Sequence, residues 1–533
     1  MGYIGAIIMK RIKVLCIIYA LLLSLVTARV FAISILHHDE LSKAAQNQRT
    51  SETAVRTARK ILYDRNMIPL TESTSALYAV IICENCSEKK KVSMLTGITL
   101  PENGVKVIRM PSDKAVQSEL LSCEGVSAMT MPVRYSESNL FCHLIGYGGS
   151  TNGSGLEKAL DNSLITDENQ TVYTITAAND HPLWTQGYYS PAENDLSGVK
   201  LTVDMHIQKI CEQVMDELCP KGAVVITDVQ SGDILAMASR PAYSQDNPAS
   251  YFDKGGSELL NRAICAYDMG SVFKLIVTGA ALEEGLISLN DKFNCTGTVK
   301  IGDVDFYCHK KDGHGEITFE QAFAQSCNIP FYELGQKSGW DIIREYAVKC
   351  GLGKNIIDLA LDEAKGTLPQ NADSAPALAN LSIGQGDMTG TPLQMAQITQ
   401  IIANGGIKTP LTIIDGKIQS DGKTFTESKR EPTQRVFSSR TALILRRLMK
   451  TTVQEGTGTP AKSSKVSIAG KTGSAETGWQ DNGKTMTHGW FTGFFPAEDP
   501  KYICTVLCEN GQSGGNSAGP VFKEIAEQIS SLY

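Results

Sequence analysis

Short, mostly apolar runs lie at both ends of the segment that begins near residue 196. Ala223 to Val229 and Ile234 to Ser239 are apolar runs joined by Gln-Ser-Gly-Asp, which predicts a β-hairpin. Residues 255–455 are mostly helical in pattern. Three more strands are predicted near the C-terminus, at Val466 to Ile468, His488 to Phe495 and Tyr502 to Cys508. We therefore expect an α+β domain in which early and late strands share one antiparallel sheet with helices on its faces.

The N-terminus has the pattern of a membrane-targeting segment. Lys10, Arg11 and Lys13 precede an apolar run that starts at Val14 and, read through Arg29, extends to Leu36. Residues 14–36 are long enough to span a bilayer, whereas the shorter run to Thr27 suits a cleaved signal peptide. The anchor is the favoured interpretation, and with either one the basic residues 1–13 stay inside and the remaining chain is exported.

The exported part divides by pattern into two regions. Residues 37–195 show mixed short strands and loops, and the pattern changes at Asn194 to Gly198. We expect an N-terminal domain over 37–195 and a larger domain over 196–533, in which the segment Leu201 to Asp204 is followed by a helix from about His206 to Leu218.

Charge and cysteine content restrict the function classes. The net charge of −7 gives no basic footprint, so nucleic acid is not expected as a partner. The 14 cysteines are scattered without dense spacing, which favours free buried thiols. Cys295 and Cys308 flank a short polar segment and are candidates for a disulfide. Cys83 and Cys86 form a Cys-x-x-Cys pair, but no second pair completes a zinc site.

Ser271 and Lys274 are a candidate nucleophile and base. They are three positions apart at the start of an almost uniformly apolar helical pattern, so the hydroxyl and the amine share one helix face. A helix that is apolar nearly all round is buried, and burial lowers the pKa of a lysine. The helix N-terminus also supplies backbone N–H groups that suit an oxyanion.

Two further motifs follow in the chain. Ser326 and Asn328 lie after a helical stretch, and they offer a hydroxyl that relays a proton and an amide that orients a substrate or the lysine. Lys471, Thr472, Gly473 and Ser474 follow a predicted strand, where a cation and hydroxyls suit a terminal carboxylate and the glycine admits a substrate backbone. Each motif alone is weak, but the three in this order are specific.

Ser-x-x-Lys, Ser-x-Asn and Lys-Thr-Gly in this order resemble the signature of penicillin-recognising enzymes. Several other segments resemble the monofunctional class B penicillin-binding proteins, although Lys60, Met67 and Met269 depart from the family pattern. The resemblance covers nearly the whole chain. Its segments are ARKILYDRN (58–66), HLIGYGGSTNGSGLEK (143–158), the Leu-Thr-Val-Asp at 201–204 and LSIGQGDMTGTPLQMA (381–396).

The resemblance implies a transmembrane helix, a β-rich pedestal or dimerisation domain and a transpeptidase domain with a five-stranded antiparallel sheet and a helical subdomain. It implies that Ser271 attacks the bond between the last two D-alanines of a peptidoglycan stem peptide and releases D-alanine. Lys274 would accept the serine proton and Ser326 would pass one to the leaving group. The other roles are positioning by Asn328, positive potential from Lys471, an oxyanion hole of the Ser271 and Ser474 N–H groups, and carboxylate binding by Thr472, Gly473 and Ser474.

The resemblance also implies partners and a location. An amine of a neighbouring stem peptide would resolve the acyl-enzyme, and β-lactam antibiotics would acylate Ser271. This scheme requires no metal or organic cofactor. The protein would act at the outer face of the bacterial cytoplasmic membrane as a single-pass protein, beside a membrane glycosyltransferase of the shape, division or sporulation class.

Three alternatives remain open from the sequence. A β-lactamase shares the acylation step, but the Glu-x-x-Leu-Asn segment of class A enzymes is absent from this sequence. The motifs do not exclude the class D enzymes, which use a modified lysine, but those enzymes are small and lack a pedestal domain. A β-lactam sensor would be acylated without crosslinking. A scaffold for a cell-wall polymerase would keep its cellular role after loss of Ser271.

Overall fold

The computed structural model describes the chain except residues 1, 39–40, 42–49, 137, 149–152, 177–181, 191–194, 253–254, 256, 358, 482–483 and 533. The N-terminus is an α-helix, Gly2–Phe31, which continues into a π-helical turn, Ala32–Leu36. Residues from Ile7 to Leu36 form a helix long and apolar enough to cross a membrane, and none of its apolar stretch is buried in the protein.

The chain forms two compact units whose segments alternate along the sequence. The first comprises residues 1–58, 75–132 and 166–194, and the second comprises 59–74, 133–165 and 195–533. The first unit has two three-stranded sheets and the helices Lys89–Thr96 and Lys114–Leu121. Its strands, in spatial order, are Thr50–Arg59, Ile165–Thr176 and Pro182–Ser190 in one sheet, and Val105–Arg109, Thr74–Ile82 and Val126–Val133 in the other.

The second unit is built on a five-stranded antiparallel sheet. Its strands, in spatial order, are Ile234–Arg240, Gly222–Asp228, Tyr502–Cys508, Lys484–Phe495 and Ala469–Asp481. The central strand pair joins Val224 to Val506, so a strand from near residue 225 lies beside one from near residue 505. The expected α+β fold with early and late strands in one sheet is confirmed. The predicted strand at 466–468 is wrong in position, because the strand begins at Ala469.

Both faces of this sheet are buried, which explains its continuous apolar strands. Ala223 and Val225 belong to the core on one face, and Val224 and Ile226 belong to the core on the other. The helices Met205–Leu218 and Gly519–Ser530 cover the second face. The helices Pro392–Ala403 and Ser439–Glu455 pack on the first face, and Lys274–Glu283 packs against Ser439–Glu455 in the same core.

The segment between the sheet's early and late strands carries the other helices and some short strands that the helical pattern of 255–455 did not predict. The α-helices are Ala249–Phe252, Phe319–Ala324, Ile329–Ser338, Trp340–Cys350 and Ala375–Ser382. The antiparallel two-stranded pairs are Lys292–Cys295 with Gly315–Thr318, Thr298–Ile301 with Val304–Tyr307, Tyr267–Asp268 with Thr389–Gly390, and Ile407–Lys408 with Gln434–Arg435.

A four-stranded sheet and short helices complete the second unit. The sheet's order is Phe425–Glu427, Ile414–Ile418, Gly198–Leu201 and Ile61–Tyr63, and the last two strands are parallel. The short helices are Cys142–Ile145, Gly155–Ala159 and Asp161–Leu164. The 3₁₀ turns are Ser257–Leu259, Gly270–Phe273 and Thr459–Ala461, and a π-helical turn, Gly514–Ala518, precedes the closing helix.

Candidate active site

Ser271 lies in a 3₁₀ turn, Gly270–Phe273, that runs directly into the helix Lys274–Glu283. Gly270 makes this turn possible. Its φ is +54°, which favours glycine, and a Cβ there would lie 2.8 Å from the carbonyl oxygen of Ser474. The start of the nucleophile turn therefore lies directly against the strand that carries the third motif.

Lys274 is fully buried at the first position of that helix. Its ammonium donates hydrogen bonds to Asn328 Oδ1 at 2.8 Å and to the carbonyl oxygen of Ser326 at 2.9 Å. The ring of Phe331 lies 4.8 Å from Nζ. Burial lowers the pKa of Lys274 to about 7, although the nearby thiols Cys327 and Cys308 oppose the shift. A large fraction of this amine is therefore neutral near pH 7 and able to accept a proton.

The hydroxyl oxygen of Ser326 lies close to the side-chain amines of two lysines. Lys471 Nζ donates to Ser326 Oγ at 3.0 Å, and Lys274 Nζ lies 3.5 Å from the same oxygen. Ser326 has a φ of +53°, a left-handed conformation that costs a non-glycine residue about 1–2 kcal/mol. The tight connection between the helices Phe319–Ala324 and Ile329–Ser338 holds this conformation.

Asn328 precedes the helix Ile329–Ser338 and links two parts of the site. Its Oδ1 accepts from Lys274, and its Nδ2 donates to the carbonyl oxygen of Tyr307 at 3.1 Å. These two bonds determine which amide atom faces the lysine. The amide therefore holds the amine of Lys274 in one orientation.

Lys471 is fully buried on the strand Ala469–Asp481, which is an edge strand of the five-stranded sheet. Burial, together with the positive charge of Lys274, lowers the pKa of Lys471 well below its usual value. Two cations this close in an apolar site repel each other, so the pair favours one proton fewer. Lys471 also donates to the carbonyl oxygen of Thr472 at 2.9 Å.

The next residues of this edge strand present polar groups. The hydroxyl of Thr472 lies 2.6 Å from that of Thr457, and Ser474 Oγ accepts from the N–H of Gly514 at 3.1 Å. Gly473 pairs with Trp490 on the neighbouring strand. Because the strand is at the sheet edge, an extended peptide can add to it through main-chain hydrogen bonds.

The structure thus brings the three motifs together in one place. Direct hydrogen bonds join Lys274, Ser326, Asn328 and Lys471, and the turn of Ser271 packs against Ser474. Sequence reasoning missed Thr457, whose only signal is its place in a Gly-Thr-Gly segment after a helix. It also missed that Cys327, inside the second motif, lies beside Cys295, Cys308 and His314.

The strand before Ser271 is held by a charged network that sequence reasoning also missed. Glu509 accepts from Tyr267 at 2.7 Å and from the buried Arg262 at 2.8 Å. Trp490 donates from its indole to the carbonyl oxygen of Asp268 at 2.9 Å. Met269, where the resembled family has proline, is fully buried and packs in the main core. The residues that precede Ser271 in the chain are therefore held in place by Trp490 and Glu509, which come from the late part of the domain.

Comparison with known proteins agrees with this arrangement. Residues 222–527, more than half of the chain, match the family described as penicillin binding protein transpeptidase domain. Stage V sporulation protein D of Bacillus subtilis (strain 168) is 26% identical over 97% of this chain and 84% of that protein. Peptidoglycan D,D-transpeptidase PbpA of Mycobacterium tuberculosis is 33% identical over 62% of this chain and 72% of that protein.

Solved structures have the same fold. The D,D-transpeptidase domain of a peptidoglycan glycosyltransferase from Eggerthella lenta has a TM-score of 0.66 at 24% identity, covering 90% of this chain and 100% of that one. PBPA from Mycobacterium tuberculosis has a TM-score of 0.57 at 30% identity, covering 63% of this chain and 81% of that one. The chain belongs to the penicillin-binding protein transpeptidases, as a monofunctional class B penicillin-binding protein.

Proposed function

We propose that this protein is a peptidoglycan D,D-transpeptidase that crosslinks stem peptides through an acyl-enzyme on Ser271. The observation that carries the proposal is the buried cluster in which Lys274 and Lys471 both reach Ser326 Oγ, at 3.5 and 3.0 Å. Buried amines with lowered pKa values, next to a hydroxyl, form a proton-transfer chain rather than a structural ion pair.

Acylation begins with the hydroxyl of Ser271. Its oxygen attacks the carbonyl carbon between the last two D-alanines of a stem peptide, and its proton passes to the neutral amine of Lys274. The backbone N–H groups of Ser271 and Ser474 stabilise the oxyanion. Ser326 passes a proton to the nitrogen of the departing D-alanine, which leaves as the carbon–nitrogen bond breaks, and Lys471 and Asn328 keep the transfer chain aligned.

Deacylation completes the crosslink. An amine from a neighbouring stem peptide attacks the ester carbonyl, its excess proton returns through the same groups to Ser271, and a new peptide bond forms. Before acylation, the donor stem peptide lies along the edge strand that contains Gly473, with the carboxylate of its terminal D-alanine at Thr472 and Ser474. A β-lactam follows the first step, but its opened ring stays on Ser271.

We further propose how the chain is placed in the cell. The positively charged residues 1–13 stay in the cytoplasm, 14–36 cross the cytoplasmic membrane, and the transpeptidase domain acts outside it. The N-terminal region, 37–195, of which residues 59–74 and 133–165 belong to the second compact unit, acts as a pedestal for the catalytic domain, 196–533. A membrane glycosyltransferase of the shape, division or sporulation class supplies the glycan strands that the enzyme crosslinks.

Covalent labelling of the full chain in detergent tests the nucleophile. A fluorescent penicillin should form a stable adduct on wild type and none on Ser271→Ala, with intact mass followed for hours. An adduct that clears within seconds would instead indicate a β-lactamase. A separate assay with stem peptides should detect crosslinked product and free D-alanine, and absence of both would leave a sensor or a scaffold.

A further inference from the structure

Four potential metal ligands converge beside the second motif. The sulfur atoms of Cys295, Cys308 and Cys327 and one ring nitrogen of His314 all lie within 4.8 Å of one another. The three cysteines are buried and the histidine is half-buried. The three cysteines are free thiols, because none of the 14 cysteines forms a disulfide, including the candidate pair Cys295 and Cys308.

Three of the six distances among these ligand atoms match those in a tetrahedral metal centre. Nδ1 of His314 lies 3.5 Å from the sulfur of Cys295 and 3.5 Å from that of Cys308. The sulfurs of Cys308 and Cys327 are 3.8 Å apart. Tetrahedral zinc, with bonds of about 2.3 Å to sulfur and about 2.0–2.1 Å to nitrogen, places two sulfurs about 3.8 Å apart and a sulfur and a nitrogen about 3.5 Å apart.

The backbone is shaped to bring these ligands together. Cys295 ends the strand Lys292–Cys295, and Gly297 follows it, while Gly313 precedes His314. A Cβ on Gly297 would lie 2.0 Å from the carbonyl oxygen of Lys311, and one on Gly313 would lie 2.1 Å from that of Cys295. The two glycine turns, both with positive φ, therefore allow the main chains to touch where the ligands are needed.

We propose that Cys295, Cys308, His314 and Cys327 bind one zinc ion in a closed, structural site. Three thiolates and one imidazole complete the four-coordinate shell that structural zinc prefers, with no position left for water or substrate. Thiolate-rich tetrahedral sites select zinc over the oxygen-seeking cations magnesium and calcium. The ion also removes the cost of burying sulfur charges in an apolar pocket that includes Phe306 and Tyr332.

The zinc ion has a consequence for the active site, and this step rests on the proposed function, whereas the site itself does not. Cys327 lies between Ser326 and Asn328, and its carbonyl oxygen is 3.4 Å from Lys274 Nζ. Tyr307, next to Cys308, accepts from Asn328. Zinc bound to Cys327 would therefore connect the strained turn at Ser326 to the strand pairs at 292–318. It would also hold Ser326 and Asn328, the hydrogen-bond partners of Lys274, in position.

Metal analysis of the full chain tests the site without using activity. The protein is purified in detergent without a histidine tag, and elemental analysis should find one zinc per chain. The variants Cys308→Ser and His314→Ala should lose it, whereas Cys350→Ser, which changes a buried free cysteine outside the cluster, should keep it. Cobalt exchanged into wild type should give the absorption bands of thiolate-bound tetrahedral cobalt.

If the variants do not fold, chelation of zinc from the wild-type protein provides a second test. Removal of zinc by a strong chelator should lower the unfolding temperature, and one equivalent of zinc should restore it. Chelation should also slow acylation by penicillin about 10- to 100-fold, because Ser326 and Asn328 lose their fixed position. A metal-free protein, iron in place of zinc, zinc kept by both ligand variants, or a mass 2 Da lower from a Cys308–Cys327 disulfide would overturn the proposal. Unchanged acylation after zinc loss would overturn only the link to catalysis.

Discussion

Lys471 donates a hydrogen bond of 3.0 Å to the hydroxyl of Ser326, a residue 145 positions earlier in the chain. Ser326 is held in a left-handed conformation, and Lys471 is fully buried on the edge strand of the sheet. The bond therefore joins the helical part of the second unit to its sheet. The amine of Lys274 lies near the same hydroxyl of Ser326. It is the contact on which proton transfer in the proposed mechanism depends.

Removing that hydroxyl should slow acylation while leaving the fold intact. We expect Ser326→Ala to react with a fluorescent penicillin about 10²- to 10⁴-fold more slowly than wild type, the usual effect of a lost proton-transfer group. Stopped-flow labelling measures the rate, and circular dichroism checks the fold. Ser439→Ala, which changes an exposed serine at the start of the helix Ser439–Glu455, should react normally. A wild-type rate in Ser326→Ala would contradict its role.

Substitutions at Gly270 and Gly285 distinguish the effect of backbone strain from that of steric contact. Both have positive φ, +54° and +66°, but a Cβ on Gly270 would meet Ser474 at 2.8 Å, whereas a Cβ on Gly285 would meet nothing within 4 Å. Gly285→Ala should lower the free energy of unfolding by about 1–2 kcal/mol through backbone strain alone, and Gly270→Ala should lower it further because its Cβ meets backbone atoms. Only Gly270→Ala should also slow acylation, because it pushes the nucleophile turn away from Ser474. Equal acylation rates in the two variants would disprove this close approach.

Glu157 is a buried carboxylate between two arginines, and its loss should be costly. It is 0% exposed and contacts Arg134 at 2.7 Å and Arg59 at 2.8 Å. Glu157→Gln should lower the free energy of unfolding by about 3 kcal/mol, the lower end of the usual loss for a broken buried pair, because Arg59 keeps Asp161 and Arg134 keeps Glu72 as partners. Glu345→Gln, which breaks the exposed pair with Lys349, should cost less than about 0.5 kcal/mol. Urea unfolding of both variants makes the comparison, and similar losses would refute it.

His143 should make the protein less stable in mild acid. It is buried, one ring nitrogen lies 2.7 Å from the carbonyl oxygen of Glu258, and burial lowers its pKa from 6.5 to about 4, with Arg240 and Arg262 nearby. As the pH falls below 6.5 the unfolded chain gains a proton that the folded chain does not accept until about pH 4. Stability should therefore fall across this window, by about 2 kcal/mol from this residue at pH 5.

The variant His143→Gln isolates that effect, because an amide keeps a donor toward Glu258 but does not titrate. Its free energy of unfolding should change about 2 kcal/mol less than that of wild type between pH 7.5 and pH 5. Urea unfolding at the two pH values provides the measurement. An identical pH dependence in both proteins would show that His143 does not remain neutral when folded.

Much of the fold was predictable because a buried strand or helix has a local pattern of apolar residues in its sequence. The strands at Gly222–Asp228 and Ile234–Arg240 were expected within one residue of their observed ends, and Tyr502–Cys508 was expected at its observed bounds. The short strand pairs between residues 292 and 318 were not expected. They are four residues long and mostly exposed, so they carry little apolar alternation.

The sequence by itself determined the order of three motifs, the apolar N-terminal segment and the strands that share a two-sided core, because each depends on residues close together in the chain. Only the tertiary structure decided that Lys274 and Lys471 share the hydroxyl of Ser326, which depends on pairing strands from both ends of the domain. It also decided that Cys295, Cys308, His314 and Cys327 meet at one point. The spacing of these four residues in the chain matches no common zinc motif, so the sequence does not reveal the site. The fold brings their ligand atoms together.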